Sequence, residues 1–254
     1  MEKAFINGKT IAFDRFGHGK PLLMIHGFPL DHHSWDGIKV HLADKFDLIL
    51  PDLPGFGDSD IGKDEASTAQ IAQDLAALLD HLKVQKAFVA GHSMGGYVAL
   101  ALAQQQPGKI FGLGMISSQV LPDSDERKKA RLASAEKVST EGVGVLLDMA
   151  EKLSADPRLV PYFRDMILRQ KPAGVIAGLK AMAARPDATP FFSKFKFPVV
   201  LVHGNDDSLI PPARTLEMKE MLSHAEVILL DKVGHSPMIE QPEKTAAALL
   251  KFLD

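Results

Sequence analysis

Short apolar runs, most of them closed by glycine, proline or aspartate, alternate along this chain with segments of helical period. No other feature restricts the fold as tightly. The runs cover residues 21–26, 46–51, 87–91, 110–117, 199–203 and 226–230. Each is apolar on both faces rather than on every second residue, as expected of strands buried on both sides in a parallel sheet. Two further strands, 3–7 and 10–15, are joined by Asn7-Gly8, a tight-hairpin signal. Between the runs, residues 68–81 place Ile71, Leu75, Leu78 and Leu79 on one helical face; residues 94–105 and 245–252 also read as helix. The pattern predicts an α/β protein whose mostly parallel, twisted sheet begins with an antiparallel hairpin.

One stretch breaks the alternation. Residues 120–195 show helical patterns at 126–137, 143–153, 161–170 and 173–184, punctuated by Pro122, Pro157, Pro172, Pro186 and Pro190. The expected organisation is a core domain of residues 1–119 and 196–254 carrying a helical cap, or lid, at 120–195. The competing reading is a pair of extra βα units with weak strands.

The chain has 254 residues, enough to bury a core without crosslinks, and contains no cysteine. That excludes disulfides, a thiolate nucleophile and cysteine-ligated zinc. The net charge of −3 offers no electrostatic grip on nucleic acid or an anionic membrane. The basic cluster Arg127, Lys128, Lys129 and Arg131 reads as a solvated helix face. The first residues lack a signal-like apolar region, and no segment is apolar enough to span a bilayer. A soluble cytoplasmic monomer or small homo-oligomer is the expectation.

The chemistry concentrates at Gly91-His92-Ser93-Met94-Gly95, between a buried strand and a helix. Such a turn is sharp enough to force the serine into a positive φ, and side chains two residues to either side would collide, hence the glycines. Gly96 would let the helix pack closely on the sheet. The alternative is a glycine-rich turn capped by serine. A nucleophilic serine needs a base, and the base an orienting acid. After strand 199–203 comes Gly204-Asn205-Asp206-Asp207, and after strand 226–230 comes Gly234-His235. His41 and His81 lie in helical patterns, His224 in a connection and His18 near a turn. His32-His33 beside Asp31 could suggest a metal site, but adjacent histidines rarely face one ion and no further ligands converge.

Taken together, these segments resemble the α/β-hydrolase superfamily. Met24-Ile25-His26-Gly27-Phe28-Pro29 is similar to its HGxP oxyanion loop. The segment Asp52-Leu53-Pro54-Gly55-Phe56-Gly57-Asp58-Ser59 resembles the family's D-x-P-G-x-G-x-S stretch, in which Asp52 reads as structural. The matches run from about residue 20 to 250, in family order. The resemblance implies Ser93 as nucleophile, His235 as general base, Asp207 as orienting acid with Asp206 as runner-up, and the backbone N–H groups of Phe28 and Met94 as oxyanion hole. It implies no cofactor and no metal. Serine at position 93 argues against aspartate-dependent dehalogenases and epoxide hydrolases. The expected activity is hydrolysis of carboxylic esters, with short to medium acyl chains, or of lactones, as in bacterial esterases and enol-lactonases. The expected partner is a small-molecule ester or lactone. Leu146, Met149, Phe163 and Met166 are candidates for an apolar acyl pocket or for plain core. A lyase or perhydrolase using the same triad, or a weakly hydrolysing small-molecule receptor, are the alternatives.

Overall fold

The computed structural model describes residues 1–63 and 67–253. Eight strands form one sheet: β1 (Glu2–Ile6), β2 (Lys9–Gly17), β3 (Lys20–Ile25), β4 (Phe46–Pro51), β5 (Ala87–His92), β6 (Ile110–Ile116), β7 (Val199–Gly204) and β8 (Glu226–Leu230). Their spatial order is β1-β2-β4-β3-β5-β6-β7-β8. β1–β2 and β2–β4 are antiparallel; every other neighbouring pair is parallel. Asn7 and Gly8 both take positive φ in the first hairpin (48° and 79°), as a two-residue turn between twisted strands requires.

The apolar runs behave as their composition dictates. β5 and β7 are buried at every residue. β8 departs from that pattern: as the sheet edge it is only partly buried, and Leu229 faces outward. Helices α1 (Asp36–Leu42), α2 (Thr68–His81) and α3 (Met94–Gln105) cross between the early strands. Ser67 caps α2 by accepting the amide of Gln70.

Between β6 and β7 lie only helices and tight turns among the described residues: α4 (Asp125–Glu141), α5 (Val160–Leu168), α6 (Pro172–Ala184) and α7 (Thr189–Phe192). Thus the interruption of the strand pattern is a helical insertion, with no added βα units. Residues 143–153, expected as helical, form 3₁₀ turns over Val143–Lys152. Gly142, with φ 83°, ends α4, and Val143, Leu146 and Ala150 point inward; over ten residues an apolar period near three cannot distinguish the two helix types. The chain closes with α8 (Ala213–Met221), α9 (Pro237–Glu240) and α10 (Pro242–Leu250). Among the described residues no helix is long and apolar enough to cross a membrane.

The insertion is tied to the sheet by polar contacts at its α5–α6 corner. Arg169 donates two 2.8 Å hydrogen bonds to the buried Asp31 carboxylate, which follows β3. Gln170 donates to Asp31 (2.9 Å) and accepts the amide of Gly57 (3.1 Å). Beside them Gly174 meets Gly55 so closely that a Cβ on either would overlap the other's backbone. Asp31, His32 and Asp52 also cluster here, and their polar atoms serve this junction: the His32 ring bonds Asp52 at 2.8 Å while Asp31 takes the Arg169 fork. Replacing Arg169 by alanine should lower unfolding free energy by about 2 kcal/mol, because Asp31 stays buried with fewer donors. Urea denaturation of Arg169→Ala against wild type measures it.

Candidate active site

β5 ends in the buried pair Gly91-His92, and α3 begins at Met94. Ser93 alone makes the turn, with φ 50° and ψ −112°. Such a backbone is costly for a residue with a side chain and persists only where its surroundings enforce it. Here they do: the Ser93 amide donates to the Ile116 carbonyl of β6 at 2.9 Å. A Cβ on Gly91 would overlap the carbonyl of Gly95, and one on Gly95 would overlap the Ile25 carbonyl of β3. Gly96 lies against Ser118, whose hydroxyl donates to the Ser93 carbonyl at 2.8 Å. The serine side chain is consequently pushed outward above the sheet.

Two loops from later strands meet it. The His235 Nε2 lies 2.9 Å from Ser93 Oγ, and its Nδ1 lies 2.8 Å from Asp207 Oδ2. With Nδ1–H donating to the carboxylate, Nε2 is left to accept the serine proton. The carboxylate is held from four directions: Oδ1 accepts the amides of Leu209 (2.8 Å) and Ile210 (3.0 Å), and Oδ2 also faces His203 Nε2 at 3.0 Å. Burial opposes ionisation of Asp207, but the facing His235, the His203 contact and the amides outweigh it and hold its pKa far below the usual carboxylate range. Asp206, the other candidate, is exposed; it is Asp207 that reaches His235.

The amides of Phe28 and Met94 have no protein acceptor among the described residues. Met94 opens α3, where amides lack intrahelical partners. The Phe28 loop is shaped by His26, whose Nε2 accepts the Leu53 amide (2.9 Å) while Nδ1 donates to the Gly27 carbonyl (2.9 Å).

An open pocket of about 360 Å³ contains Ser93 and His235. Its other walls are Phe28, Tyr97, Met149, Met182, Leu209, Ile210, Arg127 and Arg131. Of the four expected pocket residues only Met149 lines this space. Leu146, Phe163 and Met166 are buried in the hydrophobic core. Arg127 and Arg131 are a correction as well, since both line this pocket, Arg131 nearly enclosed and Arg127 still partly open to solvent. Sequence alone could not place them: Arg127 and Arg131 stand one helical turn apart, a spacing that a solvated face shares.

Three other supporting groups escaped sequence reasoning. His92 donates from Nε2 to the His235 carbonyl at 2.7 Å. His203, besides Asp207, contacts the Thr215 hydroxyl (2.7 Å) and the Ile210 carbonyl (2.9 Å). Glu240 accepts the amides of Gly234 (2.9 Å) and Ser236 (3.1 Å), on either side of His235, and that of Ala155 in the insertion (2.8 Å). Buried histidines leave no trace in a single sequence, because hydrophobic periodicity passes over them.

Burial, with the neighbouring His235 charge adding to it, pushes the His92 imidazole down to about 3. Since its folded pKa lies below the ordinary 6.5, His92 binds its proton mainly after unfolding, and stability must fall as pH drops below that value. Between pH 7 and pH 5 the loss from this residue should be about 2 kcal/mol. The gap between wild type and His92→Asn in urea midpoints, followed from pH 7 to pH 5, checks this: the variant should lose less.

Known proteins resemble the whole chain. The family model described as alpha/beta hydrolase fold matches residues 20–242. A pimeloyl-[acyl-carrier protein] methyl ester esterase of Aeromonas hydrophila is 28% identical, over 96% of this chain and 99% of its own length. The dihydrolipoyllysine-residue acetyltransferase component of the acetoin cleaving system of Pseudomonas putida is 30% identical over 99% of this chain and 69% of its own. A thermophilic esterase from Thermogutta terrifontis, solved with malate bound, superimposes with a TM-score of 0.94 at 34% identity, covering 99% of this chain and 97% of that one. The chain therefore belongs to the α/β-hydrolase fold family, and its relatives include esterases.

Proposed function

We propose that the protein is a serine hydrolase of carboxylic esters or lactones working through an acyl-enzyme. The observation that carries this is the unbroken line Asp207–His235–Ser93, at 2.8 Å and 2.9 Å, ending at a serine in a positive-φ turn that opens into a pocket. The esterase names of its relatives agree with that reading.

In this scheme Ser93 Oγ attacks the substrate carbonyl as His235 Nε2 takes its proton. The oxyanion that forms accepts hydrogen bonds from the Phe28 and Met94 amides, which are preorganised and have no protein acceptor among the described residues. His235 then passes its proton to the departing alcohol. A water molecule, deprotonated by the same nitrogen, attacks the acyl-serine, and the acid leaves as Ser93 recovers its proton. Asp207 stays ionised throughout, which its strongly lowered pKa allows, and stabilises the imidazolium. Residues 120–195 serve as a cap over the site, with Met149, Met182 and the two arginines of α4 facing the substrate.

Release of p-nitrophenol from its acetate and butyrate esters should fall by about 10⁴-fold or more in Ser93→Ala. Labelling of the wild type by a fluorophosphonate probe should vanish with it. Asp207→Asn should lose about 10⁴-fold, while Asp206→Asn should lose less than about 3-fold. Rapid turnover surviving in Ser93→Ala would overturn the assignment, and the reverse order of the two aspartates would move the acid.

A further inference from the structure

The pocket that holds Ser93 is charged, and the charge has one sign. Among the described residues lining it, Arg127 and Arg131 are the permanently ionised side chains, and no carboxylate faces it. Both come from α4, one turn apart. Behind them lies Asp123, whose side chain is fully buried. Arg131 donates to it through Nε, Arg185 approaches it through Nη1 at 2.9 Å, and Arg127 Nε lies 3.8 Å away. Three guanidinium groups therefore surround one carboxylate. Burial resists ionisation of Asp123, but Arg131 and Arg185 hold its pKa below the ordinary value, so the cluster carries an excess of positive charge.

The donors of that cluster are not used up. Arg185 spends its terminal nitrogens on the carbonyls of Met182 and Leu121, both at 2.9 Å, and its guanidinium stacks on the Tyr97 ring at 4.0 Å. Arg127 gives Nη2 to the Leu209 carbonyl at 2.9 Å. The remaining Nη1 of Arg127 and both terminal nitrogens of Arg131 have no hydrogen-bond acceptor among the described residues. Arg131 is also nearly enclosed, with only 14% of its side chain exposed. Free N–H groups on a sheltered guanidinium, walled by Met149, Met182, Leu209 and Ile210, are poorly served by a neutral ester. They match an ionised acid group, which a guanidinium fork binds through two parallel hydrogen bonds, more strongly where water is excluded.

We infer that Arg127 and Arg131 bind a second, ionised carboxylate on the substrate, making this a hydrolase of half-esters of dicarboxylic acids or of lactones bearing a free acid. The inference rests on the hydrolase reading above and narrows its substrate class. Ser93 acts on the ester carbonyl; the arginines take the far carboxylate and so fix which bond is presented to it. Arg127 also borders a neighbouring groove lined by Gln119, Asp123, Pro211 and Arg214. In place of a purely apolar acyl chain, the pocket accepts a short apolar spacer with a charged end.

The test compares monoethyl adipate with ethyl hexanoate, which has the same spacer and a methyl group in place of the carboxylate. Ethanol release by the wild type should give a kcat/KM ratio of at least about 10 in favour of the half-ester. The ratio should fall about 10- to 100-fold in Arg131→Gln and in Arg127→Gln, and be partly restored in Arg131→Lys. On the wild type alone, added salt should slow the half-ester and spare the neutral ester, and adipate should inhibit where hexanol does not. A wild-type ratio of one or below overturns the inference. So does an equal loss on both esters in the variants, which would mean that the arginines only brace α4 against Asp123 and Leu209. Hydrolysis of neither ester by the wild type would instead remove the hydrolase reading, and this inference with it.

Discussion

The site depends on one steric fact: at the turn from β5 into α3, backbone packs against backbone with no room for a side chain. A Cβ at position 95 would overlap the Ile25 carbonyl at the end of β3, and a Cβ at position 27 would overlap the His92 ring. Two glycines thus bring the start of α3 and the loop after β3 into direct contact. The Met94 amide lies on one side of that contact and the Phe28 amide on the other, both without a protein acceptor among the described residues. The same contact holds Ser93 at φ 50°, a conformation it would not keep in a looser turn. The orientation of Ser93 and the placing of these two amides are therefore one constraint.

Beneath this turn the polar groups are histidines more often than carboxylates. His26 shapes the Phe28 loop, His92 holds the His235 carbonyl, and His203 faces Asp207. Burial lowers the pKa of both His26 and His92. A neutral imidazole can donate from one nitrogen and accept at the other while bringing no charge beside His235. A lysine or arginine in the place of His92 would oppose formation of the His235 imidazolium, and a carboxylate would compete with Asp207 for it. The floor is polar enough to satisfy the backbone and uncharged enough to leave Asp207 as the group that governs His235.

Much of this was legible in the chain. The eight strands, the hairpin, the turn at Ser93 and the candidates Asp207 and His235 all follow from apolar runs and from residues whose chemistry demands a particular backbone. Three things were not legible, for separate reasons. The 3₁₀ turns over Val143–Lys152 keep an inward period too close to that of an α-helix to be separated over ten residues. The supporting groups His92, His203 and Glu240 act on backbone atoms far away in sequence, and nothing local betrays such a contact. Arg127 and Arg131 were misplaced because a basic helix looks the same whether it faces solvent or a cavity; only the docking of α4 over the pocket decides it.

That docking also separates the pocket walls from the Asp207–His235–Ser93 line. Ser93, His235 and Asp207 hang from strand ends whose positions are set by the sheet; β5 and β7, which lead to Ser93 and Asp207, are buried at every residue and tolerate little displacement. The insertion instead reaches the site through polar tethers: Arg169 to Asp31, Ala155 to Glu240, and Arg127 to the Leu209 carbonyl in the Asp207 loop. Each fixes the height of a helix without prescribing the side chains on its pocket face. Exchanging Arg131 or Met149 would alter what the pocket accepts and leave the Asp207–His235–Ser93 line intact. Arg127 is the exception, because it faces the pocket and also ties α4 to the acid loop.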